Sequence, residues 1–123
     1  MTDDEFLARF EAHALPGFTH RDHVRVAFAY ARRGGTPAAV KGARRIRALA
    51  AGTGKYHETL TVAWARVIAR HAADDPALEF AAFLEANPQL LRRDLLNAHY
   101  SRERLFSAEA RQRFVEPDIS PLP

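Results

Sequence analysis

Two compact polar motifs contain three of the six histidines of this chain. The first is FTHRDH, with His20 and His23, and the second is KYHET, with His57 and Glu58. Each motif lies where a helix is predicted to begin, and the dipole of a helix start lowers the pKa of a nearby imidazole. Neutral imidazoles beside a carboxylate are the groups that metal sites and general bases use. The two motifs therefore predict a functional site, but no particular reaction.

His20 and His23 are three residues apart, so their side chains lie on one face of a helix. If the two helix starts converge at one end of a bundle, His57 and Glu58 complete a set of three imidazoles and one carboxylate. Such a set suits a divalent metal, and the choice among Zn, Fe, Mn and Ni stays open. The predicted metal ligands are His20, His23, His57 and Glu58. His57 and Glu58 are also the predicted catalytic residues, with Glu58 either a ligand or a general base beside a metal-bound water.

The helix after the second motif is predicted to form one wall of a pocket. His57, Thr61 and Trp64 follow one another at helical spacing and continue into Ile68, so the stripe is polar at its top and apolar below. We expect a small anionic molecule there, bound by Arg25, Tyr30, Lys55, Tyr56 and Trp64. In this prediction Arg25 and Lys55 meet the anionic group. The alternative is that the two motifs are unrelated polar helix ends.

No nucleotide cofactor is predicted. The segment GTGK ending at Lys55 has neither the preceding glycine nor the following Ser or Thr of a Walker phosphate loop, and no strand precedes it. The weaker hypothesis is an anion held by the backbone N–H groups of Thr53, Gly54 and Lys55.

Charge is distributed unevenly although the net charge is only +3. No Asp or Glu occurs between His23 and His57, and the cations of that stretch are Arg25, Arg32, Arg33, Lys41, Arg44, Arg45, Arg47 and Lys55. The rival hypothesis is therefore a non-catalytic helical module that binds an acidic partner through the basic face of residues 25–55. A plain solvated surface explains the same charges. Sequence-specific DNA binding is disfavoured, because base-reading Asn, Gln and Ser are missing between Val40 and Leu49.

Helix-start and helix-stop residues divide the chain into about six or seven short helices. Thr2, Thr19 and Ser107 are predicted N-caps. Gly34-Gly35 ends the second predicted helix, and Gly52 ends the third. Four further starts are predicted, at Thr36-Pro37, near Tyr56, at Asp75-Pro76 and at Asn87-Pro88.

No segment alternates between apolar and polar residues as a strand does. The prediction is an all-α fold, a single-domain bundle over residues 1–123 with an extended tail from residue 116. No apolar run approaches the roughly 20 residues that span a bilayer, and the acidic N-terminus is unlike a signal peptide. A cytoplasmic bacterial protein without a membrane partner is therefore expected, and its oligomeric state is left undetermined. The absence of cysteine excludes disulfides and thiolate metal sites.

The ordered motifs also resemble a family of small uncharacterised bacterial helical proteins. The resemblance rests on F-x-H-x-x-H, on KYHET, on NP-x-LL from Asn87, on Tyr100-Ser101 and on the closing segment from Ser107 to Asp118. It covers nearly the whole chain and implies a complete protein. It implies no activity and no catalytic residues.

Overall fold

The computed structural model describes residues 1–123 as seven α-helices and two 3₁₀ helices, without a strand. The predicted all-α fold is confirmed. The α-helices are α1 (Asp3–Glu11), α2 (His20–Ala43), α3 (Ile46–Leu49), α4 (Glu58–Asp74), α5 (Phe80–Ala86), α6 (Arg102–Leu105) and α7 (Ala108–Gln112). The 3₁₀ helices span Pro88–Leu91 and Leu95–Ala98. No helix is both long enough and apolar enough to cross a membrane.

The predicted N-caps are confirmed. Thr2 and Ser107 accept hydrogen bonds from the N–H groups three residues on, at 3.1 Å each. At Thr19 the capping box is complete, because the Asp22 N–H donates to Thr19 Oγ1 and the Thr19 N–H donates to the Asp22 carboxylate. Such caps are readable from sequence because both partners lie within three residues of each other.

Helix α2 is broken at the predicted glycine pair. Gly35 has a φ of 71°, a left-handed conformation that a residue with a Cβ adopts at a cost. The segment of α2 that follows this break packs close to the segment that precedes it. A Cβ added to Gly42 would lie 2.1 Å from Cδ2 of Tyr30, so glycine permits this approach.

Several helix boundaries differ from the prediction, and α6 was not predicted. The helix expected to reach Gly52 ends at Ala43 and resumes only as α3, and the helix expected from Asp75-Pro76 begins at Phe80. The single helix expected after Asn87 is replaced by the two 3₁₀ helices. Leu90 and Leu96 are both fully buried, and a straight α-helix would turn side chains six residues apart to different faces. The two 3₁₀ helices allow the chain to bury both leucines.

Helices α2 and α4 form the main helix pair. The larger core lies between them and includes Val24, Phe28, Ile68, Phe83 and Leu90. A smaller core lies on the opposite face of α2, where α1 packs through Phe6, Leu7 and Phe10 against Val26 and Tyr30. Helix α2 therefore has two buried faces, and only one of them faces α4.

Candidate functional site

A cavity of about 500 Å³ opens beside the α2–α4 pair. Both histidine motifs line this cavity, the first through His20 and His23 and the second through Lys55, Tyr56 and His57. The segment before α4 and the 3₁₀ helix Leu95–Ala98 complete the wall. The two motifs are therefore brought to one place in the fold.

The cavity has an apolar floor and a polar rim. Val24, Ala27, Ala65, Ile68 and Leu96 line it and are buried, so they form the floor. The lining residues that are exposed form the rim, and the polar ones are His23, Thr53, Lys55, Arg93 and Asn97.

The rim is positively charged. Lys55 and Arg93 belong to no ion pair, and no Asp or Glu lines the cavity. Two cations at one mouth without a counter-charge make a field that attracts anions.

His20 is held in one orientation by its neighbours. Its Nε2 lies 2.9 Å from the carbonyl oxygen of Leu90, so the Nε2–H donates there. The ring meets Trp64 edge to face, with centroids 4.8 Å apart. His20 is thus a fixed part of the cavity wall.

His23 packs against the ring of Phe18 at a centroid distance of 4.4 Å, and its imidazole makes no hydrogen bond within the protein. His23 keeps contact with solvent at the rim, but the protein around its ring partly desolvates the imidazole and lowers its pKa to about 4. The charges of His20 and Arg93 act in the same direction, and Asp22 opposes them. His23 is therefore neutral at pH 7, with a polar ring free to meet a ligand.

His57 is the N-cap of α4. The Leu60 N–H donates to its Nδ1 at 3.1 Å, which requires that nitrogen to be unprotonated, and its Nε2–H donates to the Leu105 carbonyl at 2.7 Å. Burial lowers the pKa of His57, although the bond to Leu105 opposes this shift. Both ring nitrogens of His57 therefore have partners inside the protein.

Glu58 does not line the cavity and is a buried carboxylate in an ion cluster. The Tyr56 hydroxyl donates to its Oε1 at 2.5 Å, and Nε and Nη2 of Arg44 lie 3.0 and 2.9 Å from its Oε2. Arg47 adds a second cation 3.6 Å from Oε1. Burial and the hydrogen bond to Glu58 raise the pKa of Tyr56 to about 12, so this phenol stays neutral.

The predicted metal ligands are not gathered around one point, and no group of three or more His, Asp or Glu side chains is placed to hold a metal ion. His57 commits both nitrogens to Leu60 and Leu105, and Glu58 commits both oxygens to Tyr56 and the arginines. This donor set therefore does not fit Zn, Fe, Mn or Ni. His57 and Glu58 are engaged in contacts within the protein, and their catalytic roles stay a prediction. Helical spacing could not show this, because an N-cap side chain turns back onto its own helix.

Arg25 and Tyr30 also need correction, because they lie on the face of α2 that meets α1. Arg25 donates to the Met1 carbonyl at 2.8 Å and pairs with Asp3 at 3.3 Å. The Tyr30 hydroxyl donates to Glu11 at 2.5 Å, and burial with this bond raises the pKa of Tyr30 to about 12. Lys55, Tyr56 and Trp64, in contrast, line the cavity as the prediction places them.

Several lining residues were not foreseen. Arg93, Asn97 and Phe106 come from the segment after α5, far along the chain from both histidine motifs. No local sequence pattern marks these residues as part of a site. In addition, the two 3₁₀ helices that bring this segment to the cavity were expected to be one α-helix.

No protein-family model, curated protein or solved structure matches this chain. The resemblance to small bacterial helical proteins therefore stays a prediction.

Proposed function

We propose that the cavity binds a small organic anion with an apolar body. The observation that carries this proposal is that Lys55 and Arg93, at the rim of a cavity lined by no carboxylate, belong to no ion pair. The apolar body of the ligand lies on the floor, and its anionic group lies at the rim. Fifteen of the 23 lining residues are hydrophobic, which is the composition of a small-molecule site.

The two parts of the ligand contribute differently. Burial of apolar surface is worth about 25 cal/mol per Å², so the body supplies most of the affinity. Lys55 and Arg93 are exposed and well solvated, and each such ion pair adds only about 0.2–1 kcal/mol. The two cations therefore select ligands of negative charge but contribute only a small part of the binding free energy.

A second candidate function is acid–base catalysis on the bound anion. It is favoured by the free imidazole of His23, the one lining histidine without a hydrogen-bond partner in the protein. A neutral ring at this position can accept a proton from a ligand, and the negative charge of that ligand would raise the pKa of His23 toward its ordinary range.

The basic-face module has less support. Of the eight cations in that stretch, Arg25, Arg32, Arg33, Arg44 and Arg47 are bound within the chain. Lys41, Arg45 and Lys55 are the ones whose side chains make no hydrogen bond or ion pair within the chain. A partner that needs this face would have to compete with the internal acceptors.

The test uses calorimetric titration with octanoate, octanol and octylammonium, which share one alkyl chain and differ in charge. We expect octanoate to bind the wild-type protein tightest and octylammonium weakest. Lys55→Gln with Arg93→Gln should weaken octanoate binding about 2- to 30-fold and leave octanol binding unchanged. The matched control is Lys41→Gln with Arg102→Gln, which removes one exposed lysine and one exposed arginine outside the cavity. Absence of binding by all three compounds, or equal affinity for anion and cation, would overturn the proposal.

A further inference from the structure

We propose that the apolar body of the ligand is a planar aromatic ring, so that the site takes aryl-substituted organic anions in preference to alkyl ones. This inference rests on the proposed function and goes beyond it by naming the chemical class. The reason is that seven rings line the cavity around its aliphatic floor. They are the side chains of Phe18, Tyr56, Trp64 and Phe106 and the imidazoles of His20, His23 and His57.

The wall rings are arranged as aromatic pairs. His20 meets Trp64 at 4.8 Å with an interplanar angle of 70°, and His23 meets Phe18 at 4.4 Å and 60°. These are the edge-to-face and tilted geometries that aromatic rings adopt with one another. A planar ligand ring entering the cavity extends the same pattern, whereas an alkyl chain has only dispersion contacts to offer.

Three of these rings are held in place by hydrogen bonds. His20 is fixed by the Leu90 carbonyl, and His57 by the Leu105 carbonyl and the Leu60 N–H. Such rings need no reorganisation when a ligand arrives, so little conformational entropy is lost on the protein side.

Tyr56 is the third fixed ring, and Glu58 is its positioning residue. The hydroxyl donates to Glu58, and the guanidinium of Arg47, itself paired with Glu58, lies 4.8 Å from the ring centroid. The buried carboxylate thus sets the orientation of a wall ring without lining the cavity itself. This gives the Glu58 carboxylate a role in the ligand site although it does not contact the ligand.

The test compares 3-phenylpropanoate with 3-cyclohexylpropanoate, which share one carbon skeleton and one carboxylate. The saturated ring is the more hydrophobic, so burial alone favours it, and only recognition of aromaticity reverses the order. Each aromatic pair adds a factor of about 2–10 in affinity beyond burial. We therefore expect calorimetry to show the phenyl compound bound about 3- to 10-fold tighter. Trp64 is the only tryptophan, so a change in its fluorescence places both ligands in the cavity.

Variants connect the preference to the wall. Trp64→Leu should bring the ratio of the two affinities close to one. Phe106→Leu should also lower this ratio, and because Phe106 is exposed, its replacement should not impair folding. Glu58→Gln should lower the ratio while the preference for octanoate over octanol is kept. Phe114→Leu is the matched control, a half-buried ring outside the cavity, and should keep the wild-type ratio.

The outcomes separate the two proposals. Equal binding of both compounds, or tighter binding of the cyclohexyl compound, overturns the aromatic preference. The proposal of an anion site is not affected by that result. If neither compound binds and octanoate also fails, the anion site itself is overturned.

Discussion

His57 and Glu58 have the pattern of a catalytic pair, an imidazole beside a carboxylate. In the structure the imidazole of His57 caps a helix. The Nδ1 lone pair accepts the Leu60 N–H, one of the N–H groups that a helix start leaves without a partner, and Nε2–H ties the start of α4 to Leu105. This arrangement requires the neutral ring, because a protonated Nδ1 cannot accept a hydrogen bond. Protonation and helix capping are therefore coupled at this residue.

The first prediction concerns acid destabilisation. The pKa of His57 is lowered in the folded state from the ordinary 6.5, so below pH 6.5 the unfolded chain binds the proton more readily. The free energy of unfolding should therefore fall as the pH drops below 6.5, and His23 adds an effect of the same sign that extends to about pH 4. Urea unfolding at a series of pH values measures this slope.

His57→Asn separates capping from titration, because asparagine caps a helix without a proton to gain. This variant keeps the cap but loses the bond to Leu105, and it should show a flatter slope between pH 7 and pH 5 than the wild-type protein. His57→Ala loses the cap as well and should be less stable than His57→Asn at pH 8 by about 1 kcal/mol. A wild-type slope in His57→Asn would contradict the coupling.

At the scale of elements, α2 organises the molecule because its two faces have different partners. His20, His23, Val24 and Ala27 share the face that lines the cavity, whereas the opposite face packs against α1. The break at Gly35 then folds the second segment of the helix back against the first. The cavity thus depends on how closely the two segments approach each other.

The second prediction tests that approach with Gly42→Ala. In an ordinary helix this change stabilises by about 1 kcal/mol. Here the new methyl would lie 2.1 Å from Cδ2 of Tyr30, so overpacking should destabilise the protein by about 1–3 kcal/mol. Gly17→Ala is the control, since no atom lies within 4 Å of its added Cβ, and it should be close to neutral. Thermal unfolding of both variants decides the matter, and a Gly42→Ala protein that melts at or above the wild-type temperature would refute the close packing.

At the scale of the whole molecule, the C-terminal segment joins elements that are distant in sequence. Thr59, fully buried in the first turn of α4, donates to the Arg113 carbonyl at 2.9 Å and accepts the Val115 N–H at 3.1 Å. The Tyr100 hydroxyl donates to the Val115 carbonyl at 2.7 Å. These bonds hold the end of the chain against the start of α4, beside the residues that form the cavity wall.

The third prediction removes this link with Thr59→Val, which preserves the side-chain shape and deletes the hydroxyl. The buried Val115 N–H and the part-buried Arg113 carbonyl would lose their partner, so the free energy of unfolding should fall by about 1–3 kcal/mol. The amide of Val115 should also lose protection from hydrogen exchange. Thr36→Val, at an exposed threonine, is the control and should change little. Unchanged stability together with unchanged protection at Val115 would show that the link is not structural.

The all-α class and the helix starts at Thr2, Thr19 and Ser107 could be predicted from the amino-acid sequence, because a cap and its partner lie within one helical turn. The sequence also singled out the two histidine motifs, which line the same cavity. The partners of these side chains were decided only by tertiary structure.

His57 bonds Leu105 across 48 residues, and Glu58 bonds Arg44 across 14. Arg93 reaches the cavity because the chain bends to bury both Leu90 and Leu96. Helical periodicity fixes which side chains share a face, whereas a hydrogen-bond partner depends on which faces finally pack together. For this reason the residues predicted to bind one metal ion form a helix cap and an ion cluster beside the cavity.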